Sequence, residues 1–248
     1  MLQDEKIVII VLDMNYTDAH CHVISDTPCP DMLVGRICNA TNQSEWNKII
    51  NSADDRNFGC IGIHPWNIES VSADWESEMC DVLAQNPTLM VGEIGMDKYH
   101  PNIDIQEEIF VRQIQIASEF NRPAHIHCVG AWDKILHIFK ELHKSMPPLV
   151  VVHAFAGDPD IITRIAEQYN IYFSYSMPED TKAITRISNT PIARLLIESD
   201  AHDNDTEVQT IENTMDAITG ILGMEHEAIV EQIYQNFQRV ISYVRPIE

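Results

Sequence analysis

Leu89-Met90-Val91-Gly92-Glu93 is a short apolar run that stops on a carboxylate. Its apolar residues are consecutive rather than alternating, which suits a parallel strand covered on both faces, and the run is too short for a helix. The same pattern recurs in Pro123-Ala-His125-Ile-His127, Val150-Val-Val-His153 and Leu195-Leu-Ile-Glu198-Ser-Asp200. It recurs again in Asp18-Ala-His20-Cys21-His22 and Gly62-Ile-His64-Pro-Trp66. A carboxylate or imidazole at the end of one buried strand is commonplace; the repetition points to one site assembled from many strand ends.

Runs of this kind fall at about 16–20, 33–38, 58–63, 89–93, 123–127, 149–153, 171–174 and 195–198, which makes eight. Helix-like stretches separate them. These are Ser44 to Ala53, Ala73 to Gln85 capped by Ser72, Ile105 to Phe120 and Ala131 to His143. Pro159 to Gln168 follows Asp158 as an N-cap, and the chain ends with Asp205 to Ile218 and Glu225 to Val244. Alternating strands and helices imply parallel βαβ construction. Eight such units in 248 residues predict an α/β fold of the (β/α)8 TIM-barrel type in a single domain. A doubly wound open sheet is the alternative, but no Gly-rich phosphate loop follows any run. In a barrel the chemistry sits at the C-terminal ends of the strands, where the polar residues fall.

With 45% hydrophobic residues the chain has ample material for a core. Its formal charge is -22, from 38 acidic and 16 basic residues. That excludes broad, charge-driven wrapping of duplex DNA but not hydrolysis of a phosphate ester, because bound cations dominate the local potential of a site. The six cysteines show no CxxC spacing, so free thiols in a reducing cytoplasm are expected. Alternation places Cys21 and Cys128 on the face opposite the neighbouring histidines. Ile7-Val-Ile-Ile-Val-Leu12 is too short for a signal-peptide core, and no run approaches the ~20 apolar residues of a membrane span. Residues 1–13 read as an extension, with Met14 a second start directly before the first motif.

His20 and His22, spaced i and i+2, share one side of an extended segment. Glu93 at the end of its strand is costly to bury unless it is paired or metal-bound, and its two oxygens could bridge two cations; a salt bridge is the plainer alternative. His125 and His127 also share a face. His127, nearer the C-terminal end, is the better ligand, and His125 is a core or supporting residue. His153 and Asp200 each end a strand, and Asp200 could both ligate and deprotonate or orient a water. Nitrogen and oxygen donors without thiolates suit two divalent ions such as Zn, Mn or Mg, able to clamp a phosphoryl group and acidify a water. His64 could donate to a substrate phosphate or carbonyl, or simply pack on Trp66. Asp18 is expected to hold a ring of the His20/His22 pair, and His202 to line the mouth.

Taken together these segments resemble the TatD family of metal-dependent hydrolases, within the amidohydrolase-like barrels. The matching stretches are Thr17-Asp-Ala-His-Cys-His22, Gly62-Ile-His-Pro-Trp66, Val91-Gly-Glu-Ile-Gly-Met-Asp97 and Gln106-Glu-Glu-Ile-Phe-Val-Arg-Gln113. Arg122-Pro-Ala-His-Ile-His127, His153-Ala-Phe-Ala-Gly157, Glu198-Ser-Asp200 and Asn236-Phe237 complete the set. They occur in the family's order over nearly the whole chain. The resemblance implies one ion among His20, His22, Glu93 and Asp200, and a second among Glu93, His127 and His153, with Glu93 bridging. It also implies a deoxyribonuclease or phosphodiesterase in which Glu93 and Asp200 are catalytic. Two departures bear on the substrate. Val129 stands where members commonly carry an Arg, and Ala201-His202 replaces a small residue and Pro, so that His202 becomes a candidate phosphate donor. With the acidic charge, these changes point to a small phosphoester or to DNA ends and short single strands, with no stable duplex and no membrane partner. Hydrolysis of an amide, lactone or other ester is the alternative, and an inactive metal-binding barrel a more distant one.

Overall fold

The computed structural model describes residues 16–23, 28–166 and 168–245. Eight parallel strands are hydrogen-bonded in the order in which they occur: β1 Tyr16–Cys21, β2 Leu33–Asn39, β3 Asn57–Ile61, β4 Met90–Asp97, β5 Ala124–Val129, β6 Val150–Val152, β7 Ile171–Tyr175 and β8 Leu195–Ile197. The helices around them are α1 Trp46–Ser52, α2 Trp75–Gln85, α3 Ile103–Glu119, α4 Trp132–Leu142, α5 Pro159–Ala166, α6 Thr181–Asn189, α7 Asn204–Leu222 and α8 His226–Ile241. The chain is thus the expected (β/α)8 TIM barrel. No helix among the described residues is long and apolar enough to cross a membrane. The expected extension before Met14 lies outside the described residues.

Two apolar layers hold the barrel together. Ile37, Cys60, Met90, Val151 and Leu196 form a buried cluster with Phe237, Val240 and Ile241 of α8, so the last helix packs against the strands' inner residues. A larger cluster lies between strands and surrounding helices, and includes Val91, Ile126 and Val152 from the strands with Phe110, Ile135 and Ile211 from α3, α4 and α7. Cys21 and Cys128 belong to this outer layer, and Cys21 lies 3.6 Å from Cys38, sulfur to sulfur; all six cysteines are free.

The boundaries depart from the sequence expectation in an instructive way. The fourth run was expected to end at Glu93, but β4 runs on to Asp97, and Glu93 sits in mid-strand. Polar side chains can continue a barrel strand where they face its mouth. Conversely β3 ends at Ile61, so His64 lies beyond it and caps a 3-10 turn over Pro65–Ser70. Helix α2 has Asp74, not Ser72, at its N-cap. Helix α6 had no counterpart in the sequence reading: Ala183, Ile184 and Ile187 share one face but only Ile187 is buried, and its start is marked by Asp180, whose side chain accepts from the Ala183 amide at 2.7 Å.

The seam between β1 and β8 positions the site. It is closed by the Asp200 amide donating to the His20 carbonyl at 2.9 Å and the His22 amide donating to the Ala201 carbonyl at 2.7 Å. The Asp18 carboxylate adds a third link, accepting from the Ser199 amide at 3.0 Å. The residues that close the barrel therefore also carry His20, His22 and Asp200 to one point.

Candidate metal centre

Glu93 is the hub. Its Oε2 lies 3.6 Å from Nε2 of His20 and 3.4 Å from Nε2 of His22. Its Oε1 lies 2.8 Å from Nε2 of His153, 3.0 Å from Nδ1 of His127 and 3.4 Å from Nε2 of His64. The carboxylate is buried. Burial opposes its charge, but His153 foremost, then His127 and His20, outweigh this and hold it well below the usual carboxylate range.

The donor atoms form two nests. In one, Nε2 of His20 and His22 are 3.3 Å apart, and Oδ1 of Asp200 lies 3.3 Å from His22 and 3.9 Å from His20. In the other, Nδ1 of His127 and Nε2 of His153 are 3.1 Å apart, with Glu93 Oε1 completing a triangle. A tetrahedral ion with bonds of about 2.0–2.1 Å sets its ligands about 3.3 Å apart, so both nests have the spacing and the nitrogen and oxygen chemistry a divalent ion requires. Groups drawn from His20, His22, His64, Glu93, His127, His153 and Asp200 could each hold an ion.

Supporting contacts fix the rings. The His22 Nδ1 pairs with the Asn39 carbonyl at 2.9 Å, so Nδ1 carries the proton and Nε2 presents its lone pair to the nest. Burial lowers the His22 pKa but Asp200 and Glu93 overcome it and raise it. Burial raises the Asp200 carboxyl, yet His22, His20 and His153 bring it down to about 2. Asp200 adopts the left-handed backbone region, with φ of 54°, which Asp tolerates better than most residues. Glu198 lies behind His153: it accepts from the Ala154 amide at 2.7 Å and from the Ser174 hydroxyl, and stands 3.7 Å from His153 Nδ1. Burial disfavours charge on His153, but Glu93 and Glu198 raise its pKa well above the ordinary value.

His64 is held differently. Its Nδ1 accepts from the Trp66 amide at 3.2 Å, which leaves the proton on Nε2, facing Glu93. Helix α3 sets this loop through Gln113, which accepts from the Ile63 amide at 2.8 Å and donates to the Ile63 carbonyl at 3.1 Å. Two turns earlier Gln106 does the same for the end of β4, accepting from the Asp97 amide at 2.8 Å and donating to the Asp97 carbonyl at 3.1 Å. Gly95 has a structural reason of its own: its φ is 151°, and a Cβ there would sit 1.9 Å from the His127 carbonyl oxygen.

Of the residues singled out in the sequence, His20, His22, Glu93, His127, His153, Asp200 and His64 converge. His202 stacks on His22 at 5.0 Å between ring centroids and is exposed. His125 is buried below them with neither ring nitrogen paired among the described residues, and burial holds it well below its ordinary pKa, so it is neutral. Asp18 departs from expectation: it binds no imidazole and takes the His20 amide at 3.0 Å and Ser199 instead. The pairing register of β1 shifts between Asp18 and Cys21, and this irregularity breaks the strict alternation that would have put Asp18 beside the rings. The sequence reading also gave no role to Glu198, Gln106 or Gln113. Glu198 had a signal, a carboxylate interrupting an apolar run, whereas Gln106 and Gln113 had none.

A parallel barrel whose mouth gathers imidazoles and carboxylates around one shared carboxylate defines the class of the metal-dependent barrel hydrolases. The TatD-related DNase family model matches residues 17–242, and the chain belongs to that family. It is 24% identical over 230 residues to the human 3'-5' RNA nuclease TATDN2, covering 77% of this chain but only 29% of that protein. It is 24% identical to the 3'-5' ssDNA/RNA exonuclease TatD of Pantoea ananatis, over 66% of this chain and 65% of that one. The crystal structure of the TatD homologue YJJV from Escherichia coli superposes with a TM-score of 0.78 at 20% identity, covering 92% of this chain and 98% of the other.

Proposed function

We propose that this chain is a two-metal phosphodiesterase that removes nucleotides from the ends of short single-stranded nucleic acids. The observation that carries the reading is the division of Glu93: one oxygen faces His20 and His22, the other His127 and His153. A carboxylate so placed could serve two ions, one that His20, His22 and Asp200 would hold and one that His127 and His153 would hold. Two divalent ions there would acidify a water and stabilise charge on the phosphoryl oxygens. Asp200, ionised throughout the neutral range and half exposed at the mouth, orients the attacking water and receives its proton. His64, with its proton fixed on Nε2, donates to a phosphoryl or leaving oxygen. Glu198 and the Asn39 carbonyl keep the His153 and His22 rings aimed inward. One relative named as a 3'-5' ssDNA/RNA exonuclease and another named as a 3'-5' RNA nuclease support this substrate class.

The test is release of mononucleotides from end-labelled single-stranded DNA and RNA with Mg, Mn, Co or Zn. Release that disappears in Glu93→Ala and Asp200→Ala is the expected result; no release with any of the four ions overturns the reading. The charge of -22 favours a second reading, hydrolysis of an amide, lactone or other ester in a small molecule. A panel of such substrates beside aryl phosphodiesters separates the two.

A further inference from the structure

At the rim above β3 and β4 stands an indole that is exposed and yet rigidly held. Trp66 is 56% exposed. Its Nε1 donates to the buried Asp97 carboxylate at 2.7 Å, and its amide donates to His64. Its ring meets His64 edge-on at 5.1 Å and His127 at 6.2 Å, and His100 stacks against it at 5.6 Å with the planes 19° apart. Tyr99, the next aromatic along the same loop, is 80% exposed. Asp97 also accepts from the Tyr99 amide at 2.8 Å, so one buried carboxylate fixes both the indole and the turn that carries Tyr99. The arrangement presents flat π-surface beside the candidate centre.

Lys98 adjoins this platform. It is exposed, and among the described residues no carboxylate pairs with it. Its side chain lies over the turn after β5, within 3.3 Å of where a Cβ of Gly130 would be, with Tyr99 on the same spot. A net charge of -22 disfavours a broad basic groove for nucleic acid. Stacking does not depend on net charge and accepts every base.

The geometry points to a subsite for one unpaired nucleobase, stacked on the Trp66–His100 pair, with Lys98 meeting a phosphate next to it. This rests on the phosphodiesterase reading and narrows its substrate to strands whose terminal bases are unpaired. A duplex end presents its bases already stacked and paired, so it cannot use the platform.

The experiment measures binding and cleavage separately. Binding is read by fluorescence anisotropy of a labelled, phosphorothioate-linked thymidine octamer that resists cleavage. The holoprotein is compared with Trp66→Ala, Trp66→Phe and Lys98→Ala, and with an octamer whose end residues are abasic. Loss of one stacked base is expected to weaken binding about 5- to 150-fold in Trp66→Ala. Trp66→Phe is expected to retain most of the affinity, and Trp66→Ala to remove the preference for the base-bearing strand. Lys98→Ala is expected to lower the slope of log affinity against log salt by about 0.7, the value for one phosphate on a single strand. Equal affinity of wild type and Trp66→Ala, equal affinity for abasic and normal strands, or no binding at all overturns the subsite. Cleavage of the ordinary octamer decides the other question: cleavage without a Trp66 effect removes the platform and leaves the phosphodiesterase, whereas base-dependent binding without cleavage does the reverse. Circular dichroism and metal content of each variant, unchanged from wild type, exclude misfolding as the cause.

Discussion

Two buried polar clusters lie on either side of β1, and they differ in how their charges are satisfied. Outside the strand, between β1, β2 and α7, Arg36 donates to Glu207 at 2.7 Å, to Asn204 at 2.8 Å and to Asn57 at 2.6 Å. Asp18 sits in the same layer, bound to Ser199 and the His20 amide. Burial pushes its carboxyl well up, reinforced by Glu207, and burial raises Glu207 too although Arg36 opposes it. Inside the mouth, Glu93 meets no Lys or Arg among the described residues, and imidazole nitrogens close on both of its oxygens. Guanidinium nitrogens only donate and so complete a cluster, while imidazole nitrogens can present lone pairs to a cation. The outer cluster is a clamp between strand and helix, and the inner one is a nest of ligands.

Four substitutions test that contrast. The largest effect is expected from Glu93→Ala: metal content measured by elemental analysis falls to background, and turnover falls about a thousandfold or more, the several kcal/mol that metal-stabilised charge supplies. Retention of two ions in that variant would mean that Glu93 does not bridge. Next comes Arg36→Met, which strands Glu207 in the outer layer. A broken buried pair costs about 3–5 kcal/mol, or roughly 6–20 °C in melting temperature for a chain of this size, with metal content per folded molecule unchanged. A melting temperature within a degree of wild type would refute the clamp. Glu198→Gln keeps the hydrogen bonds but weakens the hold on His153, and a drop of about 10- to 100-fold in metal affinity or turnover is expected, read by titration with a chelator. The smallest effect belongs to Cys21→Ala. Asp18, Cys21 and Glu207 also lie close enough together to hold an ion. If the outer cluster is a clamp, the variant binds as much metal as wild type and loses only about 1 kcal/mol of stability. A loss of bound metal would erase the distinction between the two clusters.

Much of this site was legible in the sequence because its residues interrupt apolar runs. Val150-Val-Val-His153 and Leu195-Leu-Ile-Glu198-Ser-Asp200 each announce a strand together with the polar groups at its end, and eight such runs fix the barrel. The parts that stayed hidden have physical causes. Asp18 was misplaced because the register of β1 shifts between it and Cys21, a break that no residue type in the run announces. Helix α6 escaped because its apolar face, Ala183, Ile184 and Ile187, spans little more than one turn. Gln106 and Gln113 looked like part of a helix surface. They became legible only when α3 packed against the loops after β3 and β4 and turned both amides onto main-chain groups.

The strand-and-helix alternation, and hence the barrel, is written in the order of the residues. So is the chemical inventory of the mouth, since buried strands tolerate imidazoles and carboxylates only where something satisfies them. Folding settled which of those groups share a partner. Residues as distant as His20 and Asp200 meet because the barrel closes there, through hydrogen bonds between their own main chains. Folding also left Trp66 exposed beside His127 rather than in the core. Periodicity along a chain records which face a residue takes; which residue it faces is set by closure of the sheet, a long-range event with no local signature.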